Sequence, residues 1–358
     1  MKIDHALESY FKKEFNQNFT VVAGRANIVL YSFYKTLPPN SKIVFPAVMC
    51  PSPLLVAKYA GMIPVLCDVD AKTGLICAET LKKCLDIHPE VKAVLSVNLF
   101  GQRPNNKELS KLCKPKNITL IEDGAQGWSP FTLGQDVNLT VLSFGSKKPL
   151  DSNGGGIGIT NDKELIDRMY KIGQEIQYTS EEKINSISAL YGQMYYMLQS
   201  WEKVTPGAQK AFVQFTQPLK ELYFKSMEGV SILAILRELE NHRSNFAKRH
   251  ELAQKYHLFF SKQPLFTNFM TFDSEIGPWR YGVLYNGKNR DKLLTNLREH
   301  KVDVSSWYPS LENLGFERAG VDLTNSKNFG DSIINLWVSD ITDESFDKCL
   351  NVIEKFKE

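Results

Sequence analysis

The 358-residue chain carries 43 basic and 40 acidic residues, a formal net charge of +3, and 43% of its residues are hydrophobic. That length allows a full core and more than one domain. The near-neutral balance gives no argument for a nucleic-acid or membrane partner and so none is expected, and no tract of biased composition argues for disorder.

Taken in chain order, the opening "MKIDHALESYFKKEF" predicts an amphipathic helix without the apolar centre of a signal peptide. Cys50, Cys67, Cys77, Cys84, Cys113 and Cys349 show no paired or metal-type spacing, so reduced thiols and a cytoplasmic location are expected. Helical patterns then recur near Ala26–Thr36, Pro51–Gly61, Ala78–Leu85 and Asn105–Lys114. Between them stand the short apolar runs "KIVFPA", "IPVLCDVD", "KAVLSVNLFG", "ITLIEDGAQ" and "NLTVLSFG". Runs of that kind, separated by helices, predict an α/β domain with a largely parallel sheet buried on both faces.

After "GGIGIT" the pattern changes. The stretch from Asp162 to about Phe260 reads as mainly helical, with Pro206-Gly207 as a break and a long helix expected within Gly229–Phe260. Ile184–Trp201 carries no charge, but Ile184, Ile187, Leu190, Tyr191, Met194, Leu198 and Trp201 recur at helical spacing, which predicts a packed amphipathic helix rather than a membrane span. From about Pro264 the runs "WRYGVLYN" and "SIINLWVS" alternate with "RDKLLTNLREH" and "DESFDKCLNVIEKFK", so a smaller α+β domain is expected at the C-terminus.

In open sheets of this type ligands bind beyond the carboxyl ends of the strands. After "NFTVV" come Gly24, Arg25 and Ala26, where a helix opens; its free N–H groups suit an anion such as phosphate, or the glycine simply makes a tight connection. After "ITLI" comes Asp123, which either caps the next segment or keeps a heteroaromatic nitrogen protonated, with Gln126 able to reach a ring substituent. The next run ends at Ser143 and delivers Lys147 and Lys148 beside three glycines: a solvated turn, or an amine directed into a site. A phosphate cradle, a carboxylate for a ring nitrogen and a loop lysine together meet the needs of pyridoxal 5′-phosphate, whose aldehyde condenses with a lysine amine. No phosphate-loop or dinucleotide fingerprint competes, and the six histidines form no metal pattern.

The chain resembles the DegT/DnrJ/EryC1/StrS family of pyridoxal-phosphate-dependent enzymes, which mostly aminate keto sugars. "GRAN", "FPAVMCPSPLLVAKYAGMIPVLCDVDAKTG", "VNLFGQ", "IEDGAQ", "SFGSKKPLDSNGGGIGIT" and "RHELAQKY" carry the resemblance in order. It implies a fold-type I transferase: a large domain, about 1–225, with a mostly parallel seven-stranded sheet and a helical insertion at about 178–223, followed by a long helix and small domain, 226–358. It implies that Lys148, five residues after Ser143, is the catalytic lysine. Asp123 would face the pyridine nitrogen and Gln126 the ring hydroxyl, while Ser143 and the Gly24-Arg25-Ala26 turn would hold phosphate. Cys50 occupies the position of a common stacking aromatic. Gly145 and Asn98 stand where many members have histidine, and Glu312 stands where a histidine follows the "WYPS" segment. The implied activity is amino transfer from an amino acid, glutamate by analogy, to a nucleotide-linked keto sugar by a homodimer. A sugar dehydratase, in which histidine replaces the lysine, and a non-catalytic cofactor binder are the alternatives.

Overall fold

The computed structural model describes residues 1–202, 204–271 and 277–357. Seven strands form the main sheet: β1 (Phe19–Ala23), β2 (Lys42–Pro46), β3 (Ile63–Cys67), β4 (Ala93–Val97), β5 (Thr119–Asp123), β6 (Leu139–Ser143) and β7 (Gly156–Thr160). Their order is β1-β7-β6-β5-β4-β2-β3, with β7 antiparallel to both neighbours and the remaining pairs parallel. The mostly parallel seven-stranded sheet expected from the resemblance is present. Strands such as "AVLSV" and "GIGIT" are buried along their whole length, which is why they read as continuous apolar runs.

The helices of this part are α1 (His5–Phe15), α2 (Ala26–Tyr34), α3 (Ser52–Tyr59), α4 (Ala78–Ile87), α5 (Asn106–Cys113), α6 (Lys163–Gln174) and α7 (Glu181–Glu202). Strand alternation divides the core. Val21, Ala23 and Val141 join the cluster that includes Ile28, Val29 and Phe33 of α2, whereas Val22, Leu142 and Ile157 meet Leu7 and Phe11 of α1. Each fully buried Val, Leu or Ile contributes about 1.5–3 kcal/mol. Helix α2 is buried nearly all round and therefore lacks a polar face.

The helical insertion consists of α7 followed by 3₁₀ turns over Ala208–Phe215 and Gln217–Tyr223, with Gly207 (φ 88°) supplying the left-handed residue at the break. Ile184 and Leu198 are buried as expected and Ile187, Tyr191 and Met194 pack partly against the core. Leu190 and Trp201, expected on the same face, are 65% and 51% exposed, so the buried stripe is narrower than the sequence spacing implied. Among the described residues no helix is long and apolar enough to cross a membrane.

The expected long helix is two helices, α8 (Ile232–Glu240) and α9 (His242–Phe260). The break combines a distant and a nearby cause: the Leu239 carbonyl accepts from Tyr10 Oη at 2.8 Å and lies 2.5 Å from His242 Nδ1, while Asn241 Nδ2 donates to the Arg237 carbonyl. Side chains that capture helix carbonyls compete with the helical ladder. The C-terminal part adds β8 (Phe266–Asn268), β9 (Arg280–Tyr285), β10 (Val304–Ser305) and β11 (Ile333–Trp337), with α10 (Arg290–Glu299), α11 (Thr324–Ser332) and α12 (Asp343–Lys355). Its antiparallel sheet runs β10-β11-β9-β8. Tyr256, Tyr281, Leu293 and Ile334 fill its core, and Val48, Leu99 and Phe100, from the loops after β2 and β4, belong to the same cluster. The small domain is thereby packed onto the carboxyl edge of the large sheet.

Candidate active site

Strand register builds the site. Ala23 and Ser143 both lie opposite Gly156, and Val141 lies opposite Asp123 on the other side of β6. The carboxyl ends of β1, β5 and β6 therefore meet at one edge, and a cavity of about 390 Å³ opens there. Its lining includes Gly24, Arg25, Ala26, Cys50, Asp123, Gln126, Ser143 and Lys148. All eight residues singled out in the sequence thus converge, although they come from four separate connections.

The turn from β1 into α2 passes through very little space. A Cβ on Gly24 would lie 2.7 Å from the Ser226 carbonyl carbon, and one on Gly156 would lie 2.5 Å from the Arg25 carbonyl carbon. Glycine lets three backbone segments touch, and the helix N-terminus, through Ala26 and Asn27, then lines the cavity. Arg25 is the N-cap residue of α2, and its Nε is buried without a hydrogen-bond partner. Burial lowers its guanidinium from the usual value, Tyr223 acting the other way. Among the described residues no carboxylate forms an ion pair with Arg25. Arg25 as a whole is half-buried, and an anionic ligand at this end of the cavity would satisfy the buried Nε–H and offset its desolvation.

Adjacent carboxylates at the end of β5 face opposite sides of the sheet. Glu122 is fully buried and accepts from Arg103 Nε at 2.7 Å, Asn98 Nδ2 at 3.1 Å and Thr140 Oγ1 at 3.3 Å. Asn98 is therefore part of that support and not a wall of the cavity. Asp123 faces the cavity and accepts from the Ala125 N–H at 3.0 Å. Burial pushes its carboxyl above the ordinary value; the Ala125 N–H and the Lys148 charge pull it partly back, and Glu122 adds to the rise. A cation beside Asp123, such as a protonated ring nitrogen, would compensate this desolvation. Gln126 Oε1 accepts from the Phe100 N–H at 3.0 Å, which fixes the amide and leaves its Nε2 as the donor end.

The loop after β6 separates the two lysines. Lys147 is exposed, with φ 65°, and its N–H donates to Asp151 Oδ2 at 2.6 Å. Lys148 is half-buried and lines the cavity, its Nζ 5.2 Å from the Trp279 ring centroid. Gly154 (φ 151°) and Gly155 (φ 105°) carry the backbone back to β7 beside the cavity.

Several wall residues escaped the sequence reading. Tyr223 and Lys225 reach the cavity from the end of the insertion, and Ser52 comes from the start of α3. Ser52 Oγ donates to Tyr223 Oη at 3.4 Å, and Cys50 Sγ lies 3.4 Å from Ser52 Oγ. Burial pushes the Tyr223 phenol up to about 12, Ser52 and Arg25 opposing the rise and Cys50 adding to it. No local pattern marks these residues, since the insertion ends in 3₁₀ turns. Glu312 sits in the 3₁₀ turn Leu311–Leu314, away from the cavity wall.

The mixed seven-stranded sheet, the small antiparallel domain and the lysine loop after β6 define the fold-type I transferase architecture. The chain belongs to the DegT/DnrJ/EryC1/StrS aminotransferase family, whose model matches residues 6–354. It is 23% identical over 167 residues to GDP-perosamine synthase of Escherichia coli, an alignment covering 45% of each chain. The chain spans less than half the length of the curated relatives it matches. Its backbone superimposes on Helicobacter pylori PseC, an aminotransferase involved in pseudoaminic acid biosynthesis, with a TM-score of 0.74 and 17% identity, covering 98% of this chain and 90% of that one. It also matches NtdA of Bacillus subtilis with bound PMP, with a TM-score of 0.70 and 16% identity, covering 98% of this chain and 77% of that one.

Proposed function

We propose that the protein is a pyridoxal-phosphate-dependent aminotransferase that moves an amino group from an amino acid, glutamate as the leading donor, to a keto sugar carried on a nucleotide. The observation that carries this reading is the convergence of Arg25, Asp123, Gln126, Ser143 and Lys148 on one cavity, with an unpaired cation at one end and a desolvated carboxylate in the wall. The donor set suits the cofactor. The α2 N-terminus, Arg25 and Ser143 would hold its phosphate, Asp123 would keep the ring nitrogen protonated, and Gln126 Nε2 would donate to the ring hydroxyl. When bound, the cofactor supplies an electron-accepting ring that stabilises negative charge at the substrate carbon.

Lys148 Nζ would anchor the cofactor through its aldehyde; once the donor amine displaces it, the freed nitrogen would take the proton from the donor Cα as general base and deliver it to the aldehyde carbon in the same half-reaction, and would run the same transfer in reverse with the acceptor. Asp123, held by the Ala125 N–H, keeps its charge facing the cavity. Cys50 would leave the cofactor ring more room than an aromatic would, and Tyr223, linked to Cys50 through Ser52, lines the same part of the cavity. The presence of Lys148 favours amino transfer over the dehydratase alternative. A homodimer in the cytoplasm is part of the reading; exposed Leu190, Met197, Trp201 and Val204 on the insertion give it an apolar face, and sedimentation tests it.

The test is a half-reaction. Protein loaded with pyridoxal phosphate and mixed with glutamate is expected to yield one equivalent of 2-oxoglutarate per site, and then to aminate members of a panel of nucleotide-linked keto sugars. Absence of 2-oxoglutarate, with other amino acids equally inert, rejects the aminotransferase reading in favour of the non-catalytic binder.

A further inference from the structure

Trp279 stands 131 residues beyond Lys148 and belongs to the small domain, immediately before β9. It is 5% exposed. Its indole Nε1–H donates to the Lys147 carbonyl at 2.7 Å, the peptide that joins the two lysines. The Lys148 Nζ lies 5.2 Å from its ring centroid, and the Arg280 guanidinium carbon lies 5.3 Å from the same ring. The Trp279 N–H donates to the Phe100 carbonyl at 3.2 Å, and the two rings are nearly parallel with centroids 6.4 Å apart. Phe100 in turn donates its N–H to Gln126 Oε1. One indole is thereby connected to the lysine loop on one side and, through Phe100, to a residue of the cavity wall on the other.

We infer that Trp279 is a positioning residue for Lys148, holding the lysine loop in the register that presents Lys148 and not Lys147 to the cofactor aldehyde. The inference rests on the cofactor reading above. Two interactions act together. The indole N–H fixes the Lys147 peptide while Lys147 occupies the left-handed region, a conformation that a lysine does not favour unaided. The ring face attracts the Lys148 ammonium and restricts a side chain with four rotatable bonds, so less rotamer freedom remains to be lost at capture. Because Trp279 belongs to the core of the small domain, packing of that domain against the large one is part of what sets the lysine loop.

The test measures where the cofactor attaches, not turnover. Cofactor-free protein is mixed with pyridoxal phosphate, quenched with borohydride at timed intervals, digested, and the phosphopyridoxyl group is mapped by mass spectrometry. Wild type is expected to carry it on Lys148. In Trp279→Leu, capture at Lys148 slows about tenfold and the label divides between Lys147 and Lys148, reflecting loss of a hydrogen bond and a cation–π contact. Trp279→Phe restores the ring face without the donor and gives an intermediate rate with most of the label back on Lys148. In parallel, reductive methylation of the cofactor-free Trp279→Leu protein with formaldehyde and cyanoborohydride raises Lys148 modification toward that of Lys147. Should the leucine variant fail to fold, the phenylalanine variant decides, and capture at the wild-type rate there overturns the inference. Folded variants that capture on Lys148 alone at the wild-type rate overturn it while leaving the cofactor assignment intact. A wild-type protein with no label on Lys148 overturns the cofactor assignment itself.

Discussion

Substituting alanine at Gly156 tests whether the β1–α2 turn holds the anion end of the cavity by close backbone contact. The added Cβ would lie 2.5 Å from the Arg25 carbonyl carbon and closer still to the Ala26 N and Cα atoms. Ordinary contact begins at 3.4 Å, so the start of α2 must retreat by about 1 Å, and every atom in the way is backbone, which cannot rotate aside. Overpacking typically costs about 1–3 kcal/mol, and a backbone conflict belongs at or above the top of that range, so a destabilisation of about 3 kcal/mol is expected. Losing one charge-assisted hydrogen bond to the phosphate, at about 1.5–3 kcal/mol, should weaken cofactor binding roughly ten- to hundredfold. Gly145→Ala serves as the stability control, because its nearest obstacle is Ser143 Oγ at 3.7 Å. Denaturant unfolding of the cofactor-free proteins and titration with pyridoxal phosphate measure the two effects. Wild-type stability and affinity in Gly156→Ala would refute the argument that contact across this turn shapes the site.

Other substitutions probe the charges. Burial raises the folded-state value of Asp123, so its favourable contribution is full below the ordinary carboxylate range and disappears as pH rises through the folded value; Asp123→Asn should therefore melt higher than wild type at neutral pH when cofactor-free, lose that advantage in acid, and bind cofactor less well. Thermal melts across pH, with and without pyridoxal phosphate, read both signs. Arg25→Met should weaken binding of the phosphorylated cofactor by about ten- to hundredfold and reduce its advantage over pyridoxal in competitive titration. Arg103→Met leaves Glu122 buried without its 2.7 Å partner and should cost about 3–5 kcal/mol in denaturant unfolding, most of it recovered when Glu122→Gln is added.

The parts that were legible in the sequence are those whose causes are local. Continuous apolar runs marked the strands of the parallel sheet, and residues following each run marked the cavity edge because strands deliver their carboxyl ends together. The alternation of side chains along β5 separates Glu122 from Asp123, but which of the two faces a ligand depends on which side of the sheet the cavity lies. The antiparallel sense of β7 was not readable, since "GIGIT" is equally apolar in either direction. The break between α8 and α9 depends on Tyr10, which is more than two hundred residues away in sequence. Trp279 read simply as the first residue of a strand, and Tyr223 as the end of a helical insertion. Their contributions come from tertiary contacts that leave no periodic trace.

The central claim concerns which amine holds the cofactor and what the cofactor then does. Absorbance of pyridoxal phosphate mixed with wild type, Lys147→Ala and Lys148→Ala, followed through the addition of glutamate, measures it directly. A yellow band in wild type and Lys147→Ala that bleaches with glutamate, and no such band in Lys148→Ala, is the predicted result. A band that survives the loss of Lys148, or that disappears with Lys147, would contradict the account.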